Sequence, residues 1–276
     1  MNRSLQRALL AIYRAATAVG LLKRGPGRRA VEVAYLGYKR LFEAGSPKRL
    51  LPYVEAGSTV IDVGANIGFF TLPFARWVGP QGRVIALEPE DLNHRRLAAR
   101  LAAAGLSDRV ALYEAAAAEE SGRQRLAVNP DHPGDHKLAT EGAENSVEID
   151  AFALDDLIAE NPGPTVSLVK IDVQGAELRV IKGAHGLIER DRPALLVEID
   201  PGASDADGSP AARIVLSLLV GLGYEFRPWT RRGAGKPQDL EAIVEAAKAV
   251  GYLDVLCVSA ADRAASRALV QVAGRR

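Results

Sequence analysis

A single cysteine, Cys257, stands in a chain of 276 residues. One thiol excludes a disulfide framework within the chain and any multi-cysteine zinc site. It lies in the apolar run Asp254-Val255-Leu256-Cys257-Val258, where burial as a small hydrophobe is expected. No stretch approaches the roughly 20 uninterrupted apolar residues of a membrane-spanning helix. A surplus of one charge is missing too, since 35 Lys+Arg face 34 Asp+Glu for a formal net of +1. A dedicated nucleic-acid binder carries a clear basic excess, so nucleic acid is not expected as a partner. The remainder is ordinary for a globular protein, 48% hydrophobic and 25% charged. That composition excludes collagenous, coiled-coil and disordered chains, and the length suits one large domain or little more.

The near-neutral total conceals an uneven distribution. Residues 1–29 hold seven basic side chains (Arg3, Arg7, Arg14, Lys23, Arg24, Arg28 and Arg29) and no acidic one. Removing those seven from the 35 basic residues leaves 28 against 34 acidic ones, a net of −6 for residues 30–276. On a helical wheel Arg3, Arg7 and Arg14 fall within roughly 40°, and Leu5, Leu9, Ile12, Ala16 and Val19 lie opposite within about 80°. Leu10 and Leu21 break the pattern by landing on the basic side, and Gly25-Pro26-Gly27 ends the helix. Arg14 interrupts the only candidate apolar core of a secretory signal. The plain reading is a helix packed on the domain that follows, or a frayed leader. The sharper one is a basic amphipathic helix touching anionic lipid, which would hold a cytoplasmic protein peripherally on the inner membrane face. The expected organisation is a helical extension over 1–50, its first 29 residues the basic leader, ahead of one domain over 51–276. The oligomeric state has no signature here.

Beyond residue 57 strand and helix signals alternate. Strands are expected at 58–63, 83–87, 109–114, 165–171, 194–199, 224–227 and 252–258. Helices are expected at 67–78, 91–104, 176–189 and 211–222, with Pro73 kinking the first and Gly105 capping the second. This succession predicts an α/β fold, a Rossmann-like, doubly wound, mostly parallel sheet whose ligands sit outside the C-terminal ends of its strands. The exception is 117–150, which shows no long helix and carries the turn-rich Asn129-Pro130-Asp131-His132-Pro133-Gly134-Asp135-His136. So long a loop in a compact domain is usually functional or mobile.

Two strand ends carry the chemistry. In Asp62-Val63-Gly64-Ala65-Asn66-Ile67-Gly68 two glycines four apart follow an apolar strand, letting backbone approach a ligand, and Asp62 adds a carboxylate. Twenty residues past Gly68, Glu88 ends the second strand, where a carboxylate accepts from both hydroxyls of a ribose. A dinucleotide fingerprint wants G-x-G-x-x-G, yet Asn66 puts a side chain where the pyrophosphate needs room. A diphosphate also gains little from Asp62, whereas a ligand with a cationic amino-acid end, such as S-adenosylmethionine, gains from it. The second strand end is Lys170-Ile171-Asp172-Val173-Gln174-Gly175-Ala176-Glu177, with Lys170 and Asp172 on one face by strand alternation and Glu198 closing the next strand. A lysine inside an apolar strand needs a partner or a task, and pairing with Glu198 or Asp172 is the plain one.

Val60–Leu72 (VIDVGANIGFFTL), Ala86-Leu87-Glu88-Pro89, Ala153-Leu154-Asp155-Asp156-Leu157, Lys170–Glu177 (KIDVQGAE) and Pro193–Ile199 (PALLVEI) occur in the order seen in FkbM-type methyltransferases, which residues 57–200 therefore resemble. The resemblance implies a seven-stranded sheet with its last strand antiparallel, S-adenosylmethionine as cofactor, and methylation of a hydroxyl on a sugar, glycolipid or other secondary metabolite, a small-molecule or glycan acceptor. By the same resemblance Asp62, Gly64, Asn66 and Gly68 would line the methionine end and Glu88 would hold the ribose. Ala116, within Ala115–Ala117, would flank the adenine, and Asp172 would face the methyl group and acceptor. Gln174 departs from the family, which usually has Glu there, and Pro73 interrupts the helix after the first motif.

An alcohol acceptor must lose its proton as it attacks. His136, oriented by Asp135, is the expected base if its loop covers the pocket, and Asp172 competes for the role. Two carboxylates, Asp172 and Glu198, are too few to claim a metal. Two other functions stay open at this level: an NAD(P)-binding oxidoreductase, disfavoured by Asn66, and a cofactor-binding domain without catalysis.

Overall fold

The computed structural model describes residues 46–127, 137–138, 146–204 and 208–259, together with Gly37. The basic leader, His136 and Asp135 lie outside the described residues.

Twelve strands are described in chain order: β1 (Thr59–Val63), β2 (Arg83–Leu87), β3 (Val110–Tyr113), β4 (Ala115–Ala117), β5 (Gly122–Ala127), β6 (Lys137–Leu138), β7 (Ser146–Phe152), β8 (Val166–Ile171), β9 (Ala194–Ile199), β10 (Tyr224–Thr230), β11 (Gly233–Ala234) and β12 (Leu253–Ser259). The helices are α1 (Thr71–Trp77), α2 (Asp91–Ala104), α3 (Leu154–Glu160), α4 (Glu177–Lys182), α5 (His185–Asp191), α6 (Ala211–Gly221) and α7 (Leu240–Val250). The main sheet has the order β11-β10-β12-β9-β8-β1-β2-β3. β3, β2, β1, β8 and β9 run parallel, while β12 is antiparallel to both neighbours, β9 and β10. The fold is thus the expected doubly wound sheet with an antiparallel last strand. The two-residue β11 adds an eighth strand to the seven implied by the resemblance.

Alternation along the strands sorts side chains onto two faces. Ile61, Val63, Ile85, Leu87, Val169, Ile171, Leu195 and Val197 pack under α3 to α7. Val60, Val84, Ala86, Leu168 and Leu196 pack with Phe74 of α1 and Leu97 and Leu101 of α2. Asp62, Lys170 and Glu198 therefore belong to this second face, each one position from a residue of the first. A 3-10 turn at Pro47–Tyr53 straddles the expected boundary at 50/51 and buries Leu50 completely in this same layer. The folded unit thus includes residues before 51. Among the described residues no helix is long and apolar enough to cross a membrane.

Three expectations are corrected. The first helix begins at Thr71, not at 67, after a turn over 66–70. Pro73 falls in its first turn, where no N–H is required, and so does not kink it. The predicted helix 176–189 is two helices, α4 and α5, broken at Gly183-Ala184. A Cβ on Gly183 would stand 2.0 Å from the backbone oxygen of Ala118, and Asp155 caps the second piece through the N–H groups of Gly186 (2.8 Å) and Leu187 (2.7 Å). The described part of 117–150 is not a bare loop, because β4, β7, β5 and β6 form a second sheet in that order.

Candidate functional site

The chain runs β1, β2, β3 toward one edge, then crosses back to lay β8 against the other side of β1. The reversal leaves a crevice at the C-terminal ends of β1 and β8, where open α/β sheets bind their ligands. In register Asp62 stands opposite Lys170 across this line.

Gly64 carries the first turn out of β1 with φ +73, and a Cβ there would lie 2.0 Å from the backbone oxygen of Asp172. Only glycine lets the turn after β1 and the loop after β8 pass so closely. Every backbone N–H of the turn is used inside the protein. Gly64 and Ala65 both donate to Leu87 O at 3.0 Å, and Gly68 donates to Ala65 O at 2.9 Å. Asn66 donates to Glu88 Oε2 at 2.7 Å, and Ile67 donates to Asn66 Oδ1 at 2.7 Å. Asn66 adopts φ +49, a conformation its own side chain supports through that last bond. Gly68 closes the turn against Leu97 and Leu72. Arg100 of α2 donates to Ile67 O.

Asp62 is fully buried. Its Oδ2 accepts from Thr71 Oγ1 at 2.6 Å. Its Oδ1 lies 3.5 Å from Lys170 Nζ and has no hydrogen bond among the described residues. Asp62 thus stands beneath the glycine turn rather than on its surface. Lys170, 3% exposed, donates to the carbonyls of Val63 (3.1 Å) and Gly64 (2.8 Å), and its ammonium is 3.5 Å from Asp172 Oδ2. One buried cation thereby ties the end of β1, the glycine turn and the rim carboxylate together. Pairing with Asp172 is as expected, and the contact with Asp62 is the element the sequence reading missed, although the two residues occupy adjacent strands on one face.

Glu88, 5% exposed, stands just past β2. Its two oxygens accept from the N–H groups of Asn66 (2.7 Å) and Glu90 (3.0 Å). Each carboxylate oxygen has a second acceptor direction, so the group can still take two hydroxyls. Burial pushes its carboxyl up to about 7, against the two backbone donors that favour the charged form. On the rim Asp172 is one-fifth exposed and receives Gln174 Nε2 at 3.3 Å. Glu177, buried at the start of α4, accepts from Val173 (3.2 Å) and Gly175 (3.1 Å) and fixes this loop. Desolvation raises its pKa. The crevice thus brings together Asp62, Gly64, Asn66, Gly68, Glu88 and Asp172. Ala116 is placed apart, in β4, buried with Ala118, Leu126, Ile149 and Ala151 of the small sheet.

A family model described as "Methyltransferase FkbM domain" matches residues 62–226, more than half of the chain. The chain belongs to the FkbM methyltransferase family. Both the glycine turn and the Lys170–Glu177 loop fall inside the match. Among curated relatives, the chain is 28% identical over 146 residues to Methyltransferase 1 of Beauveria bassiana, covering 46% of this chain and 58% of that one. It is 29% identical over 201 residues to the 31-O-demethyl-FK506 methyltransferase FkbM of Streptomyces tacrolimicus, covering 62% and 74%. It is 29% identical over 161 residues to the hexuronic acid methyltransferase AglP of Haloferax volcanii, covering 57% and 62%. The match thus spans about three fifths of the Beauveria and Haloferax proteins.

Proposed function

We propose that this FkbM-family domain is an S-adenosylmethionine-dependent O-methyltransferase acting on a hydroxyl of a sugar, glycolipid or other small secondary metabolite. The observation that carries this reading is the hydrogen bonding of the turn at the crevice. With all five N–H groups from Gly64 to Gly68 bonded internally, the turn has no donors for a pyrophosphate, which is what a dinucleotide would demand. Carboxylates line the strand ends instead, which suits a nucleoside whose other end is cationic.

The residues fit that cofactor in named roles. Glu88 accepts the ribose hydroxyls through its remaining lone pairs. Gly64, Asn66 and Gly68 shape the wall beside the methionine end, and Asp62 acts on it from beneath, through Lys170 and the turn. Ala116, buried in the second sheet apart from the crevice, would reach the adenine only through the segment around it, Ala115–Ala117. When bound, the cofactor supplies a methyl group on a positively charged sulfur. Asp172 then faces the acceptor, orients its hydroxyl and takes its proton, a contribution that positioning makes large. His136, outside the described residues, is the other proposed acceptor of that proton. The relatives named for an FK506 oxygen and for hexuronic acid support an oxygen acceptor on a polyhydroxylated molecule, and the lack of basic surplus favours such acceptors over nucleic acid.

The test is incubation with methyl-labelled S-adenosylmethionine and a panel of glycans and polyketide alcohols, followed by mass spectrometry. Label retained through mild alkali, as an ether, is the expected result. Absence of transfer to every acceptor, or nicotinamide turnover by the same preparation, overturns the proposal.

A further inference from the structure

The loop after β8 contains a residue that the cofactor reading leaves without a task. Gln174 has φ +55 and Gly175 follows at φ +101. A glutamine stands in the left-handed region only when its surroundings hold it there. Glu177 does so from α4, accepting from the N–H groups of Val173 and Gly175 on either side of Gln174. The side chain then crosses the rim. Its Nε2 donates to Asp172 Oδ1 at 3.3 Å and lies 3.4 Å from Glu198 Oε1, so one neutral amide joins carboxylates from the ends of two adjacent strands.

We propose that Gln174 is a positioning residue of the reaction, bridging Asp172 and Glu198 so that Asp172 is held toward the acceptor. The inference rests on the methyl-transfer reading and adds to it the device that aims its base. The charges around Asp172 show why an amide serves here. Lys170 faces it from β8, with Asp62 of β1 behind that lysine. Glu177 of α4 repels it, Glu198 stands on β9, and Asp254 is opposite Glu198 on β12. One ammonium already serves two carboxylates, Asp62 and Asp172. A glutamate at 174, the residue the family usually has there, has the same reach but adds a negative charge opposite Glu198. Like charges a few ångströms apart retain a proton to higher pH, so the amide is this chain's own departure on this rim. The glutamine spans the gap with a donor and leaves Asp172 able to accept a proton.

The experiment compares the full-length chain with Gln174→Glu and with the exchange Gln174→Glu/Glu198→Gln, which swaps donor and acceptor across the same gap. In Gln174→Glu the acid limb of the kcat profile is expected to move up by about one unit, so that kcat at a pH on that limb falls about tenfold. The dissociation constant for S-adenosylmethionine is expected to stay within about twofold. The exchange is expected to return the limb to the wild-type position. Thermal unfolding gives a readout free of turnover. The melting temperature of Gln174→Glu should equal that of the wild type at pH 5 and fall below it at pH 8, and the exchange should remove the difference. Parallel behaviour of Gln174→Glu and wild type at every pH, or an exchange no better than the single variant, overturns the inference. A wild-type chain that transfers no methyl group defeats the functional reading, and the unfolding arm then still decides whether the bridge exists.

Discussion

Replacing Gly64 with alanine tests the crossing of the two loops that build the crevice. The added Cβ would sit 2.0 Å from Asp172 O and 3.1 Å from its carbonyl carbon. A carbon and an oxygen that are not bonded to each other settle at about 3.3 Å or more, so the gap must open by roughly 1.3 Å. The ladders of β1 with β2 and β8 pin one side, so the movement falls on the turn and on Asp172, whose own N–H is bonded to Val63 O at 3.3 Å. Alanine must also hold φ +73, at a cost of roughly 1–2 kcal/mol. Strain and displacement together should cost on the order of 2–3 kcal/mol, or about 5–10 °C in melting temperature. A shift of about 1 Å in a group that positions reactants costs about 100-fold in rate. Gly64→Ala should therefore lose at least that much kcat while circular dichroism reports the same fold. Turnover within threefold of wild type, at an unchanged melting temperature, would refute the argument that this contact sets the geometry.

Lys170→Met leaves the buried Asp62 without its cation and should cost about 3–5 kcal/mol in urea unfolding. Adding Asp62→Asn should recover most of the loss, and equal instability of single and double variants would show that the pair is not coupled. Glu88 makes stability depend on pH. Its carboxyl is raised from 4.5 to about 7 in the folded chain, so the folded state binds the proton more tightly. The resulting stabilisation is fully present below about pH 4.5 and is lost as pH rises through about 7, reaching about 3 kcal/mol at most. Glu88→Gln should flatten that slope between pH 5 and 8, and parallel curves for the two proteins would contradict the assignment. Asp155→Ala removes both caps of α5 and should cost about 1–2 kcal/mol, with turnover per folded molecule unchanged. A loss of turnover there would place Asp155 in the site.

The legible parts of the fold share one property, a strong local pattern. β2, β9 and α2 lie at the expected residues because each is a single apolar or Ala/Leu-rich run closed by a cap or a proline, as Gly105 closes α2. The small sheet was faint because β5 and β7 expose Arg123, Glu148 and Asp150 and bury little besides Leu126, Ile149 and Ala151. β5 carries no sustained alternation, whereas β7 does alternate over Val147-Glu148-Ile149-Asp150-Ala151, a strand signal within the stretch expected to be loop. The signal for α7 was present, Asp239 ahead of LEAIVEAAKAV, and Asp239 does accept from Ala242 N. Neither α7 nor α3, which lies inside the ALDDL motif, is among the expected helices. Within the site, strand period alone brought Asp62 and Lys170 to one face. It could not show that Asp62 lies beneath the turn, because that depends on Thr71 reaching back from a helix that starts four residues later than expected. The bridge made by Gln174 depends on a positive φ, which the residue type does not announce.

The central claim is that the crevice between β1 and β8 binds S-adenosylmethionine. Isothermal titration of the full chain with S-adenosylmethionine measures it most directly, with NAD titrated in parallel and Glu88→Ala as the control. Saturable one-to-one binding of S-adenosylmethionine, no heat from NAD, and loss of binding in Glu88→Ala are predicted. Binding of NAD in its place, or a Glu88→Ala variant that binds S-adenosylmethionine as tightly as the wild type, would contradict it.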